Sequence, residues 1–333
     1  MGNLSKSELH RIVVETIIEN DWNLLYLNDE NSRPFNLQIY QGNESFQLRV
    51  YIWNLTPGGT NRKADEFRIQ PKVGQFESGR DFKTLIIGWQ SEIGVFGGWD
   101  LRKHIGEVAY SGSLQIKQLI LERAYTDGMA AQTKGNNEVA IAFKSEFFIE
   151  YVRSLEELHE FGRQRADFEA LQSVLSKLNK EDATLNNSDI TQVTPTRQII
   201  LQIINRRVRD AGFQRRVLRA YDNRCAFCSV QLNLVDAAHI IPVKHPTSTD
   251  RTDNGMALCA LHHRAYDNAL VTVTEDYEVI HSEDKLERLR QLGHDGGKAN
   301  FISQLRKKID LPPAVNQRPN TNFIREANQL RRW

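Results

Sequence analysis

Two short pairs of soft ligands stand out in the chain, Cys225-Ala-Phe-Cys228 and Cys259-Ala-Leu-His262. Together they use all 3 cysteines present. An odd number of cysteines gathered in one segment argues for a metal site over disulfides. Two knuckles that each offer two ligands suit a tetrahedral zinc ion with three sulfurs and one nitrogen, and a closed shell of that kind is structural. The competing reading, three inert buried thiols, leaves the spacing without a reason. A metal held here would contribute folding free energy to a segment with little core of its own.

A second histidine follows the fourth ligand at once. Neighbouring residues on a helix point about 100° apart, so a His262 facing the zinc turns His263 elsewhere. His263 and Asp267 are i and i+4 and share a face. Between the knuckles, LVDAAHIIP has the β character of a strand ending at proline, which exposes His239 near its end. Asn254-Gly255 supplies a turn, and CALHHRAYD starts a helix. Strand, turn and helix around one zinc bring His239, Asn254, His263 and Asp267 within reach of each other. A neutral histidine, with an ordinary pKa of about 6.5, accepts a proton at physiological pH. A hard cation held by one carboxylate and one imidazole keeps positions open for water and substrate, which favours Mg²⁺ or Mn²⁺.

The ordered set FQRRVLRAYDNRCAFC, LVDAAHIIP and DNGMALCALHHRAYDNAL resembles the HNH (ββα-metal) nuclease family, in particular its restriction-endonuclease-like branch, over about residues 196–280. The resemblance implies that His239 is the general base activating water against a DNA phosphodiester. It implies that Asn254 orients that imidazole by a hydrogen bond, that His263 ligates one divalent cation, and that Asp267 stands where a further ligand is common. Many members of the family carry Asp or His immediately before the base as a metal ligand, where this chain has Ala238. Asp236, two residues earlier and on the same strand face, is either the replacement ligand or a surface residue.

The elements that must position these groups are read from periodicity. At 333 residues the chain accommodates two domains. The expected fold class is α+β: an N-terminal mixed α/β-sheet domain over 1–163, a polar linker over 164–195, and a zinc-stabilised ββα-metal domain over 196–333 with a helical, basic tail. In the first domain a helix is expected from Lys6 to Glu19, with Leu9, Ile12, Val13 and Ile17 on one stripe. FNLQIY, SFQLRVYIWNL, DEFRIQPKV and NEVAIAFK read as strands, and KTLIIGWQSEIGVFGGWD as a hairpin. SLQIKQLILERAY and SEFFIEYVRSLEELHEFG read as helices, and another runs from Pro195 or Thr196 to Tyr221, with a break expected at Gly212.

Net charge is only +1, from 43 basic and 42 acidic side chains, so partners must be read from charge distribution. Eight arginines fall between Arg197 and Arg224 against Asp210 and Asp222 alone. Candidate DNA contacts are therefore Arg215, Arg216 and Arg219 on that helix, Lys244 and Arg264 near the site, and Arg62, Lys63, Arg102 and Lys103 in the first domain. Trp53, Trp89 and Trp99, close to those basic residues, are candidates for stacking or for core. No run of 18 apolar residues supports a membrane span, and the N-terminus reads as an amphipathic helix, so a cytoplasmic protein is expected. The reading is a metal-dependent DNA endonuclease of restriction or phage-defence type, acting on double-stranded DNA, dimeric if both strands are cut, with the first domain selecting target DNA. A non-catalytic DNA- or ligand-binding protein with a purely structural zinc, or a ligand-gated nuclease, remains the alternative.

Overall fold

The computed structural model describes residues 3–29, 32–58, 65–71, 73, 75–105, 112–134, 136–176 and 195–333. The chain divides into two compact units, Met1–Val208 and Arg209–Trp333. In the first, the strands are β1 Asn23–Tyr26, β2 Phe35–Gln41, β3 Glu44–Asn54, β4 Thr56–Pro57, β5 Glu66–Ile69, β6 Lys83–Gln90, β7 Val95–Trp99, β8 Leu114–Lys117, β9 Met129–Thr133 and β10 Val139–Lys144. Helices α1 Lys6–Glu19, α2 Gln118–Asp127, α3 Phe148–Arg153, α4 Leu155–Glu160 and α5 Arg165–Leu175 accompany them. Helix α6, Pro195–Ala220, contains the divide between the units.

Seven of these strands form one sheet in the order β1-β2-β3-β6-β7-β10-β9, antiparallel except where β3 runs parallel to β6. A second sheet, β4-β5-β8, lies apart from it in pairing. Period-two alternation sorts the central strands onto two cores. Val50, Ile52, Leu85, Ile87, Ile141 and Phe143 join the core that α1 and α3 to α5 close. Tyr51, Trp53, Ile86, Trp99, Ala140 and Ala142 join the other, shared with β5, β8 and α2. A sheet buried on both faces explains why KTLIIGWQ and VAIAF read as continuous apolar runs. Helix α1 begins as expected, with Ser5 and Glu8 forming a reciprocal capping box.

Several elements differ from the sequence reading. Leu114–Lys117 is a strand, and its helix starts only at Gln118. The helix expected over 145–162 is broken at Ser154 into α3 and α4. Helix α6 passes through Gly212 without a break. Residues 165–175, placed by composition in the linker, form α5, whose Ala170, Leu171, Val174 and Leu175 are buried. That stripe is only four residues wide in a polar neighbourhood, so average composition concealed it. Arg197 of α6 pairs with the buried Asp167 of α5 at 2.9 Å. The rest of the expected linker, 177–194, lies outside the described residues.

The second unit opens with the last turns of α6, whose Phe213, Val217 and Ala220 enter its core. Strands β11 Val235–His239 and β12 Gly255–Cys259 form an antiparallel hairpin, and α7 Ala260–Asp267 follows directly. Strands β13 Val271–Val273 and β14 Val279–His281, then α8 Glu283–Gln291, α9 Lys298–Gln304 and α10 Thr321–Arg331, complete it. Register sets His239 opposite Gly255 and Val235 opposite Cys259. Gly255 is the contact point of α6: a Cβ there would collide with Val217 Cγ2 and the Phe213 ring. No helix among the described residues is long and apolar enough to cross a membrane.

Because that contact tolerates no added methyl, Gly255→Ala should lower the second unit's unfolding free energy by about 1–3 kcal/mol, as overpacking does. Urea denaturation of both proteins measures it, and equal midpoints would refute the close-approach reading.

Candidate functional site

The four soft ligands converge. Cys225 and Cys228 lie on a tight turn in which Ser229 N–H donates to Cys225 O at 2.7 Å and Cys225 N–H to Val230 O at 2.9 Å. Cys259 ends β12 and caps α7, which places His262 in the first turn of that helix. His262 Nδ1 is 3.2 Å from Cys259 Sγ and 3.5 Å from Cys225 Sγ, and the Cys228 and Cys259 sulfurs are 3.9 Å apart. A tetrahedron with metal–sulfur bonds of about 2.3 Å has edges of about 3.8 Å, so the spacing fits one ion. Among the described residues this is the group of three or more His, Cys, Asp or Glu whose ligand atoms all lie within 4.8 Å of one another.

The protonation pattern points the same way. The Cys225 thiol is held below its ordinary range by its hydrogen bond with Cys259. The Cys259 thiol is pushed up to about 11 by that same bond and by burial, and burial also raises Cys228. The shifts at Cys228 and Cys259 favour thiols whose protons a divalent cation would displace. His262 is fully buried near Phe227 and Phe301, and its Nε2 has no hydrogen-bond partner.

At the end of β11, the His239 ring stacks on Phe213 with centroids 3.8 Å apart and planes inclined by 16°. Its Nε2 lies 3.4 Å from Asp250 Oδ1. Arg209 donates to the other oxygen of Asp250, and Arg216 donates to the Asp250 main-chain carbonyl at 2.6 Å. The hydrogen bond with His239 and then the Arg209 charge hold the Asp250 carboxyl below the usual carboxylate range, against the effect of burial.

Asn254 does not orient the imidazole directly, which corrects the sequence reading. Its fully buried amide accepts from Ile241 N–H at 3.0 Å and donates to Thr249 O at 2.8 Å, while Ile240 N–H donates to its main-chain carbonyl at 2.8 Å. The residue sits in a short 3-10 turn just before Gly255, so its side chain tucks under the 240–253 loop. It fixes the backbone that leaves His239, and Asp250 contacts the ring.

His263 faces two carboxylates. Its Nδ1 is 3.6 Å from Asp236 Oδ2 and its Nε2 is 3.6 Å from Asp267 Oδ2. The close approach of Asp236, followed by the Asp267 and Asp236 charges, raises the His263 pKa against burial. Ala238 is fully buried in the hydrophobic core, so its position offers nothing to a cation, whereas Asp236 is half-exposed. The expected ligands thus gather around one ring without meeting at one of its nitrogens. A cation on Nδ1 has Asp236 beside it, and one on Nε2 has Asp267.

Among the basic candidates, Arg219, Lys244 and Arg264 are exposed and Arg215 is half-buried. Arg216 is committed to the Asp250 carbonyl. Arg102 is exposed and engaged within the first unit, donating to Asp100, Glu160 and the Glu156 carbonyl. Lys103 is exposed and donates to Asn136 O at 3.1 Å. Arg62 and Lys63 lie outside the described residues. Trp53 and Trp99 are buried, Trp99 donating from Nε1 to Gln115 O, and Trp89 packs against the first core.

Asp250, Arg209 and Phe213 were not singled out from the sequence. A signal existed on α6, where Arg209, Phe213, Arg216 and Val217 stand at i, i+4, i+7 and i+8 on one stripe. Nothing in TSTDRTDNG separates Asp250 from its polar neighbours.

Residues 225–274 match the family model described as HNH endonuclease, and residues 46–152 match the model described as Methylase-associated X1. No curated protein matches the chain. Among solved structures, one described as "Modification dependent TagI restriction endonuclease" aligns with 84% of this chain and 80% of its own at 11% identity, with a TM-score of 0.30.

Asn254→Ala would leave the Ile241 N–H and the Thr249 carbonyl without their partner inside the loop. The expected cost is about 1–3 kcal/mol for a buried group left unsatisfied. Faster amide exchange at Ile241 by hydrogen-exchange mass spectrometry should accompany it, and unchanged stability and exchange would exclude this stapling role.

Proposed function

We propose that this chain, which carries an HNH endonuclease domain over residues 225–274, is a metal-dependent deoxyribonuclease of restriction or phage-defence type. It hydrolyses phosphodiester bonds of double-stranded DNA in the cytoplasm, and its N-terminal unit selects the target. The observation carrying this reading is that His239 ends β11 and His263 lies on α7 of one hairpin-and-helix element, which the Cys225, Cys228, Cys259 and His262 cluster ties together. The match of residues 46–152 to a methylase-associated family supports a target linked to DNA modification.

In this reading zinc occupies the Cys₃His cluster and is structural. His239 takes a proton from water as the water oxygen attacks phosphorus, the P–O bond to the leaving oxygen breaks, and that oxygen takes up a proton from solvent. His263, with Asp236 or Asp267, holds Mg²⁺ or Mn²⁺, which when bound stabilises charge on the phosphate oxygens. Asp236 thereby takes the place of the ligand missing at Ala238. Arg215, Arg219, Lys244, Arg264 and Lys103 supply phosphate contacts that position DNA without reading its sequence. A pair of chains cuts both strands, since one site cuts one strand at a time. The non-catalytic alternative draws on Ala238, where many nucleases of this type place a ligand.

Plasmid DNA, methylated and unmethylated, incubated with Mg²⁺ or Mn²⁺ tests the reading. The wild-type chain should cut at least one of these DNAs, and His239→Ala should lose activity by about 10²-fold or more, the usual contribution of a general base. Equal cutting by both proteins would refute the assignment of His239, and DNA binding without cutting by both would favour the alternative. Elemental analysis should find about one zinc per chain, lost together with folding of the second unit in Cys225→Ser. A metal-free, fully folded wild type would refute the zinc assignment.

A further inference from the structure

The site contains one acid–imidazole contact with no part in the reaction as described so far. We infer that Asp250 is a positioning residue that keeps the proton of neutral His239 on Nε2, so that Nδ1 is the nitrogen receiving the proton from water. The inference rests on the nuclease reading of His239 and adds to it which ring atom acts and what selects it.

A neutral imidazole has one N–H and one lone pair, and the partner of one nitrogen decides which is which. Asp250 Oδ1 faces Nε2 at 3.4 Å. An ionised carboxylate only accepts hydrogen bonds, so Nε2 must be the donor and the lone pair falls to Nδ1. The ionised form of Asp250 is favoured by Arg209 on its other oxygen. Both side chains are about 15% exposed, which limits competition from water for the same hydrogen bond.

Two contacts then fix the ring in two different senses. Stacking on Phe213 sets its plane, and the Asp250 bond sets which edge faces inward. The carboxylate is itself anchored from α6, through Arg209 on its side chain and Arg216 on its main-chain carbonyl. The 3.4 Å separation is long for a working contact, and such bonds commonly tighten when substrate binds. A buried carboxylate that selects the tautomer of a catalytic histidine without taking its proton is a known arrangement in hydrolases.

The test combines kinetics with a measurement independent of activity. In single-turnover cleavage of a DNA the wild type cuts, Asp250→Asn should lower the rate about 10²-fold or more with KM for DNA unchanged. Asp250→Glu should restore part of the loss, which a merely structural defect would not allow. Separately, ¹⁵N-histidine NMR of the full wild-type chain, with the His239 signal assigned by its absence in His239→Ala, should show neutral His239 protonated on Nε2. Asp250→Asn should move population toward the Nδ1–H form. An Nδ1–H tautomer in the wild type overturns the proposal, as does an unchanged cleavage rate in Asp250→Asn. If Asp250→Asn does not fold, the wild-type spectrum alone decides. A wild type that cuts no DNA yet shows the Nε2–H tautomer would remove the nuclease reading and leave the Asp250 pairing standing.

Discussion

Everything in the second unit hangs on the convergence of Cys225, Cys228, Cys259 and His262 on one point. Cys259 is shared by β12 and α7, and it pairs across the hairpin with Val235 at the start of β11. One cluster therefore fixes the turn after α6, the hairpin register and the start of α7. A structural zinc contributes about 10–16 kcal/mol to small domains, as large as the whole net stability of a typical domain, about 5–15 kcal/mol. A zinc ion bound at this cluster would thus be of the right size to decide whether this element folds, with the core around Met256, Leu258 and Tyr266 giving it shape.

The candidate side chains come from three elements. Strand β11 brings Asp236 and His239, α7 brings His263 and Asp267, and α6 brings Phe213 and the arginines that hold Asp250. Gly255 makes the third approach geometrically possible, because Phe213 and Val217 occupy the space its side chain would fill. His239 and Gly255 face each other across the hairpin, so the smallest residue lies opposite the imidazole that stacks on Phe213. Ala238 lies on the opposite face of β11 from His239 and its α6 contact, and there it is core.

What could be read from the sequence was set by short, strongly constrained spacing. The two knuckles, the turn at Asn254-Gly255 and the divergent faces of His262 and His263 all depend on local geometry, and all are present. Contacts bridging long separations were not legible. Asp250 reaches His239 across a loop, and Arg209 reaches Asp250 across 41 positions, which no local pattern encodes. Asn254 was recognisable as important but not as a backbone staple, since its residue type serves either role. In the first unit β2, β3, β5, β6, β7 and β10 showed clearly while β1, β4, β8 and β9 did not, and the tryptophans beside basic residues proved to be core, because a sheet covered on both faces buries aromatics of either parity.

The adjacent histidines of α7 carry a consequence for how such a chain can vary. His262 points at the cysteines and His263 at Asp236 and Asp267. Inserting or deleting one residue between Cys259 and His263 would rotate everything downstream by about 100° and present the wrong imidazole to each partner. No such helical phase acts in the connection from Ile240 to Arg251, inside the hairpin, or in the stretch between Cys228 and Val235, before it. The count is therefore held most strictly in one short helix, so related chains should differ in these connections long before they differ in the count from Cys259 to Asp267.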